Sequence, residues 1–358
     1  MKKLLSIFMA VLMFSASLGI GASAAENKTG SLQIMTYNVS GIPVIGDFQG
    51  TQRELKGNAR MAKIGEILNN ESGCDIIGTQ EDFDNHNALA KAMPDYICQT
   101  FSSGGVPLGD GLSVFSKFPL YNVKHIKWND SYGILSSGTD RLAQKGILST
   151  VIEICNGVYI DFYVLHADAS NDSESAQARA GNYRQLAELI NSRTCDRAVI
   201  VAGDFNTTFD RNGVDDLYGN LVKTADLKDC WAELYNNGDC AYDNGADWHP
   251  SFYETYDKVM FKSGGGVELS AGSLQYIQYT DENGKTYTDH VSTKVCINYE
   301  ITGDTTNTET LQKEKPVIFV RRFVDKFSAV VKTLFLVLTD FHEIFALIKE
   351  GIDYLNQQ

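Results

Sequence analysis

The chain is short of several things, and each shortage narrows what it can be. None of its seven cysteines stands in a C-x-x-C pair, which argues against a zinc ribbon or a thioredoxin-like redox motif. Basic residues are in deficit: 31 Lys and Arg face 45 Asp and Glu, a formal net charge of -14 with a pI near 4.9. Such a surface disfavours tight, non-specific binding to polyanions, because that binding rests on Lys and Arg neutralising phosphates. Brief contact with nucleic acid through a bound cation stays open. Beyond the N-terminus no stretch reaches the ~18 uninterrupted apolar residues of a membrane span. No internal repeat is present. With 43% hydrophobic and 21% charged residues, the chain is neither disordered, collagen-like nor of low complexity. Its length allows one large domain or two small ones around a substantial core.

Residues 1–24 read as a leader and not as fold. Lys2 and Lys3 supply a charged start, Leu4–Ile20 an apolar stretch, and Ala22-Ser23-Ala24 an A-x-A cleavage pattern. These are the three parts of a secretory signal peptide, with an N-terminal membrane anchor as the alternative. Cleavage after Ala24 removes two lysines and no acid, taking the net charge from -14 to -16. The expected location is therefore extracellular, where disulfides are permitted. Cys230 and Cys240 are close enough to clip a loop. An odd cysteine count leaves at least one thiol free or bonded to another chain, and several are expected simply to fill core space.

From Leu32 onward the chain reads as short apolar strands alternating with helices. Strands are expected at 33–38, 74–79, 112–116, 146–154, 159–165, 197–202, 256–261 and 291–299. Helical spacing covers 58–69 and 175–192. Asn156-Gly157 between two β-rich runs is a strong hairpin signal. The mixture suggests a two-layer sheet core with helices outside. Residues 301–315 are polar and patternless, and read as a linker. From Val320 to Leu355 apolar residues recur at alternating spacings of four and three, a heptad pattern over about five repeats. Arg321, Arg322, Lys326 and Lys332 crowd its start; Asp340, Glu343, Glu350 and Asp353 lie in its second half. Residues 316–358 are thus expected as an amphipathic helical tail. It would pack or self-associate, or lie on an anionic membrane or envelope surface.

Groups able to hold a metal recur at strand ends. They are Asn38, Glu81, His166 with Asp168, Asp204 with Asn206, and Asp289 with His290. Charged groups are costly mid-sheet, but at strand ends they can converge from distant sequence. A hard dication wants oxygen ligands, and Glu81, Asp204, Asp289, Asn38 and Asn206 supply them. Two histidines and no cysteine make a closed zinc site a poor fit. Carboxylates, two histidines and two amides are what phosphodiester hydrolysis needs. A metal neutralises phosphate charge, one group takes a proton from water, another protonates the leaving oxygen, and amides donate to phosphoryl oxygens.

The ordered set Tyr37-Asn38, Gln80-Glu81, His166-Ala167-Asp168, Gly203-Asp204-Phe205-Asn206, Tyr256-Asp257 and Asp289-His290 resembles the endonuclease/exonuclease/phosphatase (DNase I-like) superfamily. Asp110–Leu120 is similar to the G-L-x-x-x-S-x-x-P strand of many members. Asp140-Arg141-Leu142-Ala143-Gln144-Lys145-Gly146 is similar to the D-x-L-A-x-K-G segment of secreted bacterial sphingomyelinases. The resemblance implies an α/β fold over residues 30–300, a four-layer α/β sandwich of two packed mixed β-sheets. It also implies Mg2+ as cofactor, with Mn2+ or Ca2+ as substitutes. By the same resemblance Glu81 is the main metal ligand, with Asn38 and Asp289 beside it. Asp204 and Asn206 orient water and phosphate. His290 is a base or a phosphate contact, oriented by Asp257, and His166 acts on the leaving group or a phosphoryl oxygen. The general base stays open between Asp204 and His290; Asp168 and Asp110 are the candidate partners of His166. The apolar, aromatic hairpin of haemolytic sphingomyelinases is missing.

The expected protein is a secreted Mg2+-dependent phosphodiesterase, sphingomyelinase-like, acting on a phospholipid head group. The alternatives are an extracellular DNase I-like nuclease and a non-catalytic surface-binding protein with the same fold. A stable nucleic-acid partner is not expected, because the only short basic cluster, Arg53, Lys56, Arg60 and Lys63, reads as a solvated helix face. His86, His125 and His342 read as surface or packing residues, and His249 as a candidate to line the cleft. Trp128, Trp231 and Trp248 read as core or loop anchors.

Overall fold

The apolar alternation of the strands sorts into three separate hydrophobic clusters, and three clusters mean four layers. The computed structural model describes residues 28–41, 55, 57–83, 85–100, 109–133, 143–209, 213–240, 254–305 and 307–314. The leader, residues 140–142, His249, Trp248, His342 and the tail 316–358 lie outside them.

One sheet has the order β11-β12-β1-β2-β4-β3, built from β1 (Lys28–Asn38), β2 (Ile76–Gln80), β3 (Cys98–Gln99), β4 (Ser113–Ser116), β11 (Val267–Ile277) and β12 (Ser292–Ile301). The other has the order β5-β6-β7-β8-β10-β9, from β5 (Leu120–Lys127), β6 (Gly146–Cys155), β7 (Val158–His166), β8 (Val199–Asp204), β9 (Lys228–Asp229) and β10 (Asp257–Lys262). Both are mixed: β1 and β2 are parallel, as are β7 and β8, and the other pairs are antiparallel.

Leu32, Ile34, Ile76 and Val114 of the first sheet meet Leu148, Phe162, Val164 and Ile200 of the second in the central cluster. The opposite faces of the same strands bury Met35, Tyr37 and Ile77 against helix α1 (Gly57–Asn70) through Met61, Ile64 and Leu68. They likewise bury Tyr163, Leu165 and Val201 against helix α3 (Ser173–Asn191) through Tyr183, Leu186 and Ile190. A short α2 (His86–Lys91) packs on α1. This is the four-layer α/β sandwich. The sheets approach closely at Gly78, where an added Cβ would lie 2.7 Å from Val164 Cγ2. Asp172 caps α3, its Oδ1 accepting from Ser175 N at 2.9 Å.

β1 and β8 hold equivalent places in their sheets, each between one parallel and one antiparallel neighbour. Their C-terminal ends reach the same pole, and that pole carries the candidate site. At the opposite pole lies the segment read as a linker. Thr302 N donates to Gly266 O at 2.9 Å, Arg197 Nη1 to Asn307 Oδ1 at 2.7 Å and Arg197 Nη2 to Glu309 Oε2 at 2.8 Å. Asn122 N donates to Gln312 O at 3.0 Å and Glu314 N to Leu120 O at 2.8 Å, with an antiparallel bridge between Tyr121 and Lys313. Residues 312–314 thereby cover the β5 edge of the second sheet.

Four strands escape the periodicity reading; β3 and β9 are only two residues long. β5 is only half-buried, and exposed residues interrupt the buried ones of β11. All seven cysteines are free thiols, so Cys230 and Cys240, both buried, clip no loop. Among the described residues no helix is long and apolar enough to cross a membrane.

Candidate active site

Strand pairing brings the site residues together. Asn38 and Gln80 are register partners at the ends of β1 and β2, so Glu81 follows directly beside Asn38. His166 and Asp204 are partners at the ends of β7 and β8, and Asp257 opens β10 opposite Asp204. Asp289 and His290 precede β12.

Asp204 is the hub. Its Oδ2 accepts from Asn38 Nδ2 at 3.2 Å and lies 3.4 Å from His166 Nε2 and 3.8 Å from His290 Nε2. Its Oδ1 accepts from Asn206 N at 2.9 Å, and Asn206 Nδ2 donates to Ala167 O at 3.0 Å. Asn38 Nδ2 also reaches Glu81 Oε1 at 3.1 Å, tying the two sheets together through one amide. His290 Nδ1 stands 2.9 Å from Asp257 Oδ2, so Nε2 is the nitrogen turned toward Asp204. Asn38, His166, Asp204 and Asp257 are buried, Glu81 and His290 half-buried, and Asp289 exposed. Glu81 and Asn206 hold φ of 55° and 52°, and Ser40 holds 50°. Left-handed backbone at non-glycine residues costs of order 1–3 kcal/mol each and clusters at functional sites.

The charges divide the roles. Burial alone would raise the Asp204 carboxyl, but His166, His290 and Lys145 together hold it below its ordinary value. Burial would lower His290; the hydrogen bond and charge of Asp257, with Asp204 and Glu81 behind, push it up to about 10 instead. His166 goes the other way, well below its ordinary value, through burial and then the charge of Lys145. The surroundings thus favour the charged form of His290 and the neutral form of His166. Burial raises Glu81, against Lys145 and Asn38.

Ligand atoms of Asp204, Asp257 and His290 fall within 4.8 Å of one another among the described residues. His290 Nδ1 is already engaged with Asp257, whose own carboxyl is pushed up to about 7 by burial and the charge of Asp204, so this trio forms a hydrogen-bonded cluster. A hard dication fits Glu81 better, with the Asn38 amide adjoining and Asp289 near enough to raise Glu81 by its charge. Those are oxygen donors, and the carboxylates there outnumber their cations.

The sequence model of the endonuclease/exonuclease/phosphatase family matches residues 35–290. The chain belongs to this family. It is similar to the sphingomyelinases of Mycobacterium bovis and Mycobacterium tuberculosis, 26% identical over 293 residues that cover 78% of this chain and 55% of each relative. It therefore spans about half the length of those curated relatives. A mutant beta toxin of Staphylococcus aureus with bound magnesium ions superposes with a TM-score of 0.51 at 15% identity, over 74% of this chain and 99% of the toxin. D. rerio TDP2 complexed with a single-strand DNA product gives 0.54 at 16%, over 75% and 99%. Both share the family's fold.

The fold brings all eight expected residues, Asn38, Glu81, His166, Asp204, Asn206, Asp257, Asp289 and His290, to one pole. It also corrects several neighbours. Neither Asp168 nor Asp110 partners His166, whose carboxylate is Asp204. Asp168 Oδ2 accepts from Tyr132 N at 2.7 Å, and Asp110 Oδ2 faces His125 Nδ1 at 2.5 Å. Arg60 is not solvated: it is buried and donates to Val39 O, Ser40 O and Tyr287 O, bracing the loops behind Asn38 and Asp289. His86 is buried against Asp82, its Nδ1 2.5 Å from Oδ2. Trp128 anchors β7, Nε1 donating to His166 O at 2.7 Å. Lys145 is the residue that sequence reasoning misses. It is buried, its Nζ donates to Ala167 O at 3.3 Å, and its charge bears on Glu81, His166 and Asp204. Its one sequence signal is its place in the segment ending Lys145-Gly146.

Proposed function

We propose that this chain is a secreted, Mg2+-dependent phosphodiesterase of the sphingomyelinase type, cleaving a phospholipid head group. The observation that carries it is Asp204 Oδ2 lying between a charged and a neutral histidine, 3.8 and 3.4 Å away, opposite Glu81. Glu81, with Asn38 and Asp289, would hold the cation, which when bound neutralises phosphate charge and polarises the P–O bond. Asp204, the acceptor at the centre, orients the attacking water and takes its proton. His290, held by Asp257 with Nε2 inward, donates to a phosphoryl oxygen as charge builds. Asn206, fixed through Ala167 O, positions the same group. His166, neutral and buried, faces the leaving oxygen.

The sphingomyelinase relatives support a lipid phosphodiester. A nuclease fits less well, since the one short basic cluster loses Arg60 to the interior. Residues 1–24 are the proposed leader. The tail 316–358 is the proposed contact with an anionic surface, and the catalytic domain lies between them. The test is phosphocholine release from sphingomyelin beside nicking of plasmid DNA, each with Mg2+ and with EDTA. Release that needs Mg2+, with plasmid left intact, is expected. Nicking without release would make the chain a nuclease.

A further inference from the structure

Glu81 presents the carboxylate of the proposed cation site from left-handed backbone, with φ of 55°. A non-glycine residue keeps that conformation only where its surroundings over-determine it. The adjoining peptide groups supply part of the constraint. Gly41 N donates to Glu81 O at 2.9 Å, and Asp82 N donates to Gly111 O at 2.9 Å. Both approaches depend on glycine. A Cβ on Gly41 would lie 2.4 Å from Glu81 O; Gly111 holds φ of 66°, and a Cβ there would lie 2.5 Å from Phe83 Cε1.

The next side chain supplies the rest. Asp82 is wholly buried. Its Oδ2 accepts from Ser113 Oγ at 2.8 Å and lies 2.5 Å from His86 Nδ1, and Ser113 Oγ stands 3.3 Å from the same ring nitrogen. The chain just past β2, the start of α2 and the start of β4 thus close on a single carboxylate oxygen. The His86 ring stacks on Phe115, with centroids 5.9 Å apart and planes 28° apart, so it cannot swing off Asp82 without losing that contact. A serine, a histidine and an aspartate together resemble a nucleophilic triad. Here serine and aspartate meet the same nitrogen, so no proton passes across the ring. Ser113 is also sealed from solvent, its hydroxyl engaged by Asp82. The cluster holds shape; hydrogen bonds to a carboxylate are among the strongest a side chain makes, and this one lies one peptide from Glu81.

We infer that Asp82, His86 and Ser113 are positioning residues for Glu81, their buried cluster holding the left-handed turn that aims the Glu81 carboxylate at Asn38 and at the divalent cation. They act through the backbone of Glu81. The inference rests on the reading of Glu81 as the main ligand of that cation.

The test uses the chain from residue 25 to 358. Ser113→Ala removes the hydroxyl, His86→Leu removes the ring, and His86→Asn returns a polar N–H where Nδ1 stood. Mg2+ binding is read by calorimetry, and amide hydrogen exchange by NMR on the metal-free protein. Ser113→Ala and His86→Leu should each weaken Mg2+ binding ~10-fold, and His86→Asn should recover most of that loss. The same two variants should speed exchange of the Gly41 and Asp82 amides ~10-fold, leaving unchanged the Ala167 amide, which donates to Asp204 O. Arg193→Met breaks the ion pair with Asp161 at the far pole; it should lower Tm and leave Mg2+ affinity and both amide rates as they were. Wild-type Mg2+ affinity and amide rates in Ser113→Ala overturn the inference. So does equal acceleration at Ala167, an equal effect of Arg193→Met, or a His86→Asn variant that binds Mg2+ no better than His86→Leu. If His86→Leu does not fold, the milder Ser113→Ala carries the test. Unchanged Mg2+ affinity in Glu81→Gln would count against the cation reading alone, because the amide rates are measured without metal.

Discussion

Asp204 concentrates the chemistry because it is one carboxylate among three neighbours, two neutral and one favouring its charged form. Asn38 is neutral, His166 is driven neutral by burial, and His290 is held charged by Asp257. If Glu81 holds the cation as proposed, removing that carboxylate or the imidazole beside Asp257 should each remove transition-state stabilisation. Glu81→Ala and His290→Ala are expected to lose at least ~10³ in kcat. Near-native kcat in a folded variant of either would remove that residue from the chemistry. Lys145 sits where it offsets both Glu81 and Asp204. Lys145→Met should lose ~10² in kcat/KM while melting as a folded protein, checked by Tm beside the kinetics. Much of the site is legible as residue types at strand ends, since Glu81, Asp204 and Asp289 adjoin strands of unmistakable pattern. Lys145 and Arg60 are not. A lysine before a strand and an arginine on a helix carry no periodic signal, and their burial is set by loops that pack from elsewhere in the chain.

At the scale of elements, apolar alternation reveals the central strands, because each must fill two layers at once. The edge strands β5 and β11 bury less and so show less. Sheet order has no local signature at all; it follows from which strands can be parallel across a helix. Where the sheets touch, Gly78 leaves no room, and Gly78→Ala should cost about 1–3 kcal/mol by overpacking against Val164, measured by urea unfolding. His125 on β5 joins the second sheet to the loop before β4 through Asp110. Burial would lower this imidazole, but the Asp110 charge and hydrogen bond raise it overall. A histidine raised on folding stabilises fully below its unfolded pKa of ~6.5 and loses that contribution as pH climbs through the folded value. Unfolding free energy should therefore fall as pH rises above ~6.5, and His125→Gln should flatten that slope. An unchanged slope in the variant would assign it to other groups.

For the whole molecule, the hydrogen bonds among the described residues carry the domain past β12 as far as Glu314, and polar sequence hides that extension. Residues 302–314 bury almost nothing apolar, so hydropathy reads them as a linker. Yet Glu309 bridges Arg197 and Asn122, and Gln312 and Glu314 pair with the β5 edge. A stop after Ile301 strips Arg197 of Glu309 and Asn307 and opens the β5 edge to solvent and to other chains. With hydrogen bonds to charged groups worth ~1.5–3 kcal/mol and neutral ones ~1, discounted for partial exposure, the loss should be about 2–4 kcal/mol. A stop after Glu314 keeps every one of those bonds. Of the two truncations, 25–301 should unfold at clearly lower urea and aggregate through its edge strand, while 25–314 should match the full chain in both urea midpoint and turnover of a soluble phosphodiester. Equal midpoints for the two would mean that residues 302–314 contribute nothing, and would return the boundary to the end of β12.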